Sequence, residues 1–237
     1  MTFDVAILAE YWPVILRGLG LTIAASAIAL VCALVVGLVV ALLRMSRLRV
    51  VAILAATYIE LGRNLPFMII AFLIFYGLPR WGICLPAFIV GVIALSLYAG
   101  AYFAEIIRAA IISVPKGQME SARAIGMSRT QGLRHVIFPQ MMGYFLPPAT
   151  NQAVMVVKES SILSTITVTE LTMAGQIIQG YTYSPVEAFV TAAVLYWLIC
   201  AGVSRVGSRL EISLQPYRHR RTAVPAAIIA AGGGGNA

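Results

Sequence analysis

The sequence predicts an all-α membrane protein: a bundle of about five transmembrane helices with a two-helix loop on its cytoplasmic side. Three observations predict it. The first is composition. Of 237 residues, 60% are hydrophobic and 11% charged, against roughly 45–50% and about 25% in soluble domains, and mean hydropathy is +0.91. The second is a series of long apolar runs that supply the roughly 20 residues a helix needs to cross a hydrocarbon core of about 30 Å. The third is one polar, basic, helix-patterned island, Pro115 to Pro139, set between two of these runs.

The first ten residues carry Asp4 and Glu10 but no Lys or Arg, so no secretory signal is expected. Gly18 to Leu43 is free of charge and reads as the first span, closed by Arg44, Arg47 and Arg49. The second apolar region, Val50 to Leu78, is interrupted by Glu60, Arg63 and Pro66. The third runs from Trp81 to Ala104 and continues as helix past Glu105 and Arg108. The fourth starts after Pro139 and reaches about Ile166, with a Pro147-Pro148 break near its start and Lys158-Glu159 within it. The fifth covers about Val186 to Val206. Residues 1–221 thus make one transmembrane domain. Residues 222–237 form a low-complexity tail to which the sequence assigns no function.

The net charge of +8 is explained by topology rather than by nucleic acid. Arg44, Arg47, Arg49, the bases between Lys116 and Arg134, and the Arg205 to Arg221 cluster fall on one side of a five-span chain. Arg17 and Arg80 fall on the other. The positive-inside rule puts the N-terminus outside, and the C-terminus and the island in the cytoplasm. Trp12, Trp81, Tyr181 and Tyr183 then fit an outer aromatic belt. Cys32, Cys84 and Cys200 lie far apart in apolar segments, with no metal or disulfide spacing. His135 and His219 read as surface residues.

Within the island, Ser113 is placed to N-cap a helix whose first turn tolerates Pro115. Met119, Ala122 and Ile125 recur at a spacing of three, giving an apolar strip. Ser121, Ala122 and Ala124 are small enough for a partner to approach. Gly126 is placed to end that helix in a left-handed cap. Ser128 followed by Gln131 is a capping-box pattern, so a second helix starts at once. Leu133, Val136 and Ile137 give it an apolar face, and Pro139 stops it or starts the next span. Such a pair either rests on lipid or docks on something in the aqueous phase.

Charged groups inside a bilayer cost about 2.5–3.5 kcal/mol each on insertion scales. Glu60 and Arg63 are three apart, so they either pair along one helix face or line a polar path. Glu105 and Arg108 share that spacing near the cytoplasmic end. Asn151 and Lys158 are seven apart, as are Gln152 and Glu159, so each pair stacks on one helix face. This stripe either faces a water-filled path, offering a zwitterionic solute both charges, or ties helices together. Ser160, Ser161, Ser164 and Thr165 are expected to bond helix backbone or neighbouring helices.

Glu120-Ser121-Ala122, then Gly126, then Val136-Ile137-Phe138-Pro139 resembles the coupling-loop motif of ABC importer permeases. The spacing agrees throughout; Ser121, Val136 and Phe138 are the departures. Tyr58 to Pro66, Gly100 to Arg108, Ser113 to Gln118 and Lys158 to Ser161 are similar to elements of the polar amino acid subfamily. The resemblance implies a coupling role for Glu120, Ser121, Ala122, Gly126 and Pro139. It also implies alternating access, with three partner chains: an ATP-binding subunit at the cytoplasmic face, a periplasmic or lipid-anchored solute-binding protein, and a second permease, identical or similar. The location implied is a bacterial inner membrane. The substrate-path candidates are Glu60, Arg63, Asn151, Gln152, Lys158 and Glu159.

ATP hydrolysis needs a phosphate-cradling G-x-x-x-x-G-K-[S/T] loop. Lys116 is followed by Gly117 and Lys158 by Glu159, and these two lysines complete no such motif. The chain is therefore expected to be no enzyme and to carry no cofactor, with ATP and magnesium on the partner. Two other classes remain. An ion-driven secondary transporter would show repeats and broken helices in matching positions. A membrane enzyme would show convergent acids or a nucleophile with its base.

Overall fold

The computed structural model describes residues 5–214, so the tail over 222–237 and His219 lie outside the described residues. The elements are α1 (Val5–Glu10), α2 (Trp12–Arg44), α3 (Arg49–Asn64), α4 (Phe67–Gly77), α5 (Ala87–Ile112), α6 (Gly117–Ala124), α7 (Arg129–Gly132), α8 (Phe138–Glu159), α9 (Leu171–Thr182) and α10 (Pro185–Leu214). Three single helices, α2, α5 and α10, are long and apolar enough to cross a membrane. Counting each of two bent pairs as one span gives up to five among the described residues: α3 with α4, turned by 110°, and the α7–α8 rod with α9, turned by 48°.

The centre is α2 packed along α5, and small residues make that possible. Ala25, Ala29, Ala33 and Ala41 of α2 are fully buried, as are Ala94, Ala99, Ala101 and Ala104 of α5. Apolar lipid gives helices no hydrophobic reason to associate, so close backbone approach and van der Waals contact must hold them. At Gly37 a methyl group would come within 2.6 Å of the Phe103 Cβ. Phe103 is buried in the main core with Phe67, Leu95 and Leu163. A second core joins Ile15, Leu171, Ile178, Ala188 and Ala192. Larger apolar side chains point outward, such as Val31, Val35 and Leu42 on α2 and Trp197 and Leu198 on α10.

Several sequence expectations change here. The third span begins at Ala87 rather than Trp81, because a 3-10 turn over Leu78–Trp81 ends at Gly82 in the left-handed region and Pro86 precedes the helix. It does continue past Glu105 and Arg108, to Ile112. Pro147 and Pro148 do not break the fourth span: both lie inside α8. Membrane helices tolerate the missing N–H groups where neighbouring helices pack around them. Leu65-Pro66, in contrast, does break the second region, since both residues are extended and the residue before a proline is driven out of the helical region.

Ser113 does not cap the island helix. Its hydroxyl donates to the Ala109 carbonyl at 2.8 Å and closes α5, while α6 starts later, at Gly117. The fourth span reaches Ile166 as expected, but its last seven residues leave the α-helical form. Ser160–Ile166 tightens into a 3-10 helix. The hydroxyls of Ser160, Ser161, Ser164 and Thr165 donate to the carbonyls of Val157, Lys158, Ser161 and Ile162. These are the backbone bonds the sequence predicts.

Candidate functional site

The island folds as an elbow built from local capping chemistry. Gly126 has φ +85. Its N–H donates to the Arg123 carbonyl at 3.0 Å, and the next N–H, of Met127, donates to the Ala122 carbonyl at 3.1 Å. These two bonds define a Schellman cap, which requires a left-handed residue at its centre. One residue later a capping box begins. The Gln131 N–H donates to Ser128 Oγ at 3.3 Å, and the Ser128 N–H donates to Gln131 Oε1 at 2.8 Å. Stop and start signals are thus adjacent, and the chain turns sharply between them.

Packing then decides which face is offered outward. Ala122 is buried, and a methyl group at Gly132 would meet Met119 Sδ at 2.9 Å. Met119 and Ala122 therefore close the inside of the elbow against α7. This corrects the expectation that Ala122 meets a partner. Glu120, Ser121, Ala124 and Gly126 remain exposed, and Ile125 is 74% exposed. The second island helix is also not separate. α7 is a single turn that runs through a π-turn, Leu133–Ile137, into α8, with Pro139 in α8's first turn. Gln140 Nε2 donates to Gln118 Oε1 at 3.0 Å, tying the base of the elbow to α8. The elbow is therefore continuous with the helix α8.

That span carries the polar stripe. Tyr144, Pro148, Asn151, Met155 and Lys158 are all exposed, at helical spacing along α8. Gln152 is buried and Glu159 half-buried at the stripe's edge. Glu159 also lies within electrostatic reach of Tyr98 on α5.

Glu60 and Arg63 do not pair with each other. The Arg63 guanidinium instead lies over the Tyr102 ring, 5.7 Å from its centroid, and Tyr102 OH donates to the Arg63 carbonyl at 3.2 Å. Both charged side chains are exposed. Gly62 packs on Ala101, which puts them roughly 16–17 Å along α5 from its Ile112 end at about 1.5 Å per residue. Glu105 and Arg108 do pair, at 2.9 Å through Nε.

Sequence reasoning missed Glu170. Its side chain is completely buried. It caps α9 by accepting from the N–H groups of Thr172 (2.8 Å) and Met173 (3.0 Å), and it accepts from Tyr196 OH on α10 at 2.5 Å. Thr22 on α2 accepts the Leu171 N–H at 3.0 Å. One carboxylate thus ties α9 to α10 and, beside Thr22, to α2. The signal available in the sequence was an acid directly before an apolar run, the position of an N-cap.

A family model of binding-protein-dependent transport system inner membrane components matches residues 33–213. Among curated relatives, the probable amino-acid ABC transporter permease protein YckA of Bacillus subtilis is 36% identical over 84% of this chain and 88% of its own length. The nopaline transport system permease protein NocM of Agrobacterium fabrum is 36% identical over 92% and 95%. The crystal structure of an amino acid ABC transporter with histidines superposes with a TM-score of 0.81 at 36% identity, covering 89% of this chain and 99% of that one. The inward-facing MetNI methionine ABC transporter shares the fold, with a TM-score of 0.69 at 22% identity. In such binding-protein-dependent systems ATP hydrolysis lies in a separate subunit, and the membrane component carries no cofactor. The chain belongs to the inner-membrane components of binding-protein-dependent transport systems, the multi-pass permeases of ABC importers.

Proposed function

We propose that this permease translocates polar amino acids, or opines built from them, from periplasm to cytoplasm by alternating access. The observation that carries the mechanism is the exposed elbow at Gly126, continuous through α7 with the striped span α8. Glu120, Ser121 and Gly126 form the surface that seats in the ATP-binding subunit. Ala122 and Pro139 act behind it, one packing the elbow and the other starting the span. On this reading the elbow and the C-terminus lie in the cytoplasm and the N-terminus outside, which the arginine distribution supports. A solute-binding protein, periplasmic or lipid-anchored, delivers substrate to the outer face.

The exposed charges support a second permease subunit, identical or similar. Lys158, Glu60 and Arg63 are uncovered in the single chain, and each would cost about 2.5–3.5 kcal/mol against lipid. A partner chain and a water-filled path between the two remove that cost. Asn151 and Lys158 line the path along α8, with Gln152 and Glu159 at its edge and Glu60 and Arg63 facing it from α3. The substrate class is supported by the relatives, a probable amino-acid permease and a nopaline permease.

The test is uptake of labelled amino acids and opines into vesicles holding the permease pair and its ATPase, with the binding protein outside. ATP inside is expected to drive accumulation. Accumulation that persists on an ion gradient after ATP is removed would replace this reading with an ion-driven transporter.

A further inference from the structure

We propose that the turn joining α2 and α3 binds the headgroup of an acidic phospholipid. Arg44, Arg47 and Arg49 lie within six residues and are all exposed. Between and beside them Met45, Leu48 and Val50 are 44%, 68% and 70% exposed. Basic and apolar side chains therefore alternate along one short turn. Ser46 helps fix its shape, since its hydroxyl oxygen accepts the Leu48 N–H at 3.2 Å.

The position of the turn selects its occupant. It follows the charge-free run Gly18 to Leu43, which is long enough to cross the hydrocarbon, so the turn emerges among headgroups. Exposed apolar residues lead away from it on both helices: Leu38 and Leu42 on α2, Ile53 and Leu54 on α3. Acyl chains against these residues bring a phosphate level with the arginines. Guanidinium groups bind phosphate oxygens in bidentate pairs, and Arg47 and Arg49 have no ion pair of their own among the described residues. The site differs from the elbow and from the α8 stripe, and it needs no substrate.

The experiment titrates phosphatidylglycerol into the purified transporter, permease with its ATPase subunit, in neutral detergent. The thermal unfolding midpoint of the permease is the readout, and phosphatidylcholine is the control lipid. Each arginine near an anionic surface is worth about a fivefold change in affinity. The double variant Arg47→Ala/Arg49→Ala is therefore expected to need about 25-fold more phosphatidylglycerol for the same rise. Phosphatidylcholine should leave the two proteins alike. Arg47→Lys/Arg49→Lys keeps the charge and should retain most of the response. Equal phosphatidylglycerol curves for the wild type and the alanine variant overturn the proposal. Loss of the ATPase subunit from the alanine variant, with lipid response unchanged, also overturns it and gives the turn to a protein partner. Because the readout is lipid binding, failure here leaves the transport reading untouched.

Discussion

Replacing Gly126 separates backbone handedness from bulk in the coupling elbow. Nothing lies within 4 Å of the position a Cβ would take there, yet φ is +85. Space is therefore available and conformation is the constraint. A non-glycine residue held in the left-handed region costs roughly 1–2 kcal/mol. If the backbone escapes instead, the bonds from Gly126 to Arg123 and from Met127 to Ala122 are lost, at about 0.5–1.5 kcal/mol each. Gly126→Val, β-branched and ill-suited to positive φ, should destabilise the elbow by about 1–3 kcal/mol on either route. Gly126→Asn adds a comparable volume but visits the left-handed region readily. The assay measures membrane insertion, retention of the ATPase subunit on purification, and ATP-driven uptake. Both variants should insert normally. The valine variant should lose uptake by tenfold or more, since about 1.4 kcal/mol is a factor of ten, and the asparagine variant should keep most of it. Equal loss in both would refute the handedness argument. Full coupling in both would refute the assignment of the elbow to coupling.

Glu170→Ala removes the acceptor for Tyr196 and for two N–H groups of α9, leaving buried donors unsatisfied at about 1–3 kcal/mol each. Thermal unfolding in detergent should show a large loss for alanine and a small one for Glu170→Gln, which keeps an acceptor. A Gly37→Val substitution drives a methyl group into the backbone around Phe103 and should cost about 1–3 kcal/mol by overpacking, read as a lower midpoint in the same assay. By contrast, Lys158→Met lies on the exposed face of α8. It should leave the midpoint within error while reducing uptake, and a changed midpoint with normal uptake would make Lys158 a helix tie instead.

The spans were legible because a bilayer selects on composition. A run without charge over about 20 residues has few alternatives to crossing, so α2, α5 and α10 appear where apolar residues accumulate. The elbow was legible for a different reason: its signals are contiguous. Gly126, Ser128 and Gln131 need only each other and nearby backbone to form the cap and the box. Polar pairs were less legible. Glu60 and Arg63 have the spacing to pair, but the Tyr102 ring on another helix competes for the guanidinium, and nothing local reports that ring. Pro147-Pro148 and Leu65-Pro66 show the same limit. Both read as breaks, and only the second is one, because the surroundings decide whether lost backbone bonds can be tolerated.

Glu170 is the case where a local signal falls furthest short. In sequence it is an acid ahead of an apolar run, which marks an N-cap but none of its distant partners. In the fold, its neighbours Thr22 and Tyr196 come from the first and last long helices. Gly18 packs on Ala174 and the Glu170 backbone so closely that a methyl group there would reach 2.9 Å from Ala174 Cβ. α9 is thus fixed to α2 and α10 at one end of the molecule. The elbow and α8 form a continuous rod whose 3-10 end, Ser160–Ile166, joins α9 through the 48° bend. If the elbow couples to an ATPase, a displacement imposed on it would travel along α8 to a point where α9 is pinned, and the rod would pivot at Ser160–Ile166 rather than carry α9 along. This segment suits a pivot: its hydroxyls already bond its own backbone, and such local bonds offer the chain an alternative to the regular helix. If the elbow couples and the stripe lines the path, the two would meet at Lys158 and Glu159, at the end of the rod just before Ser160–Ile166.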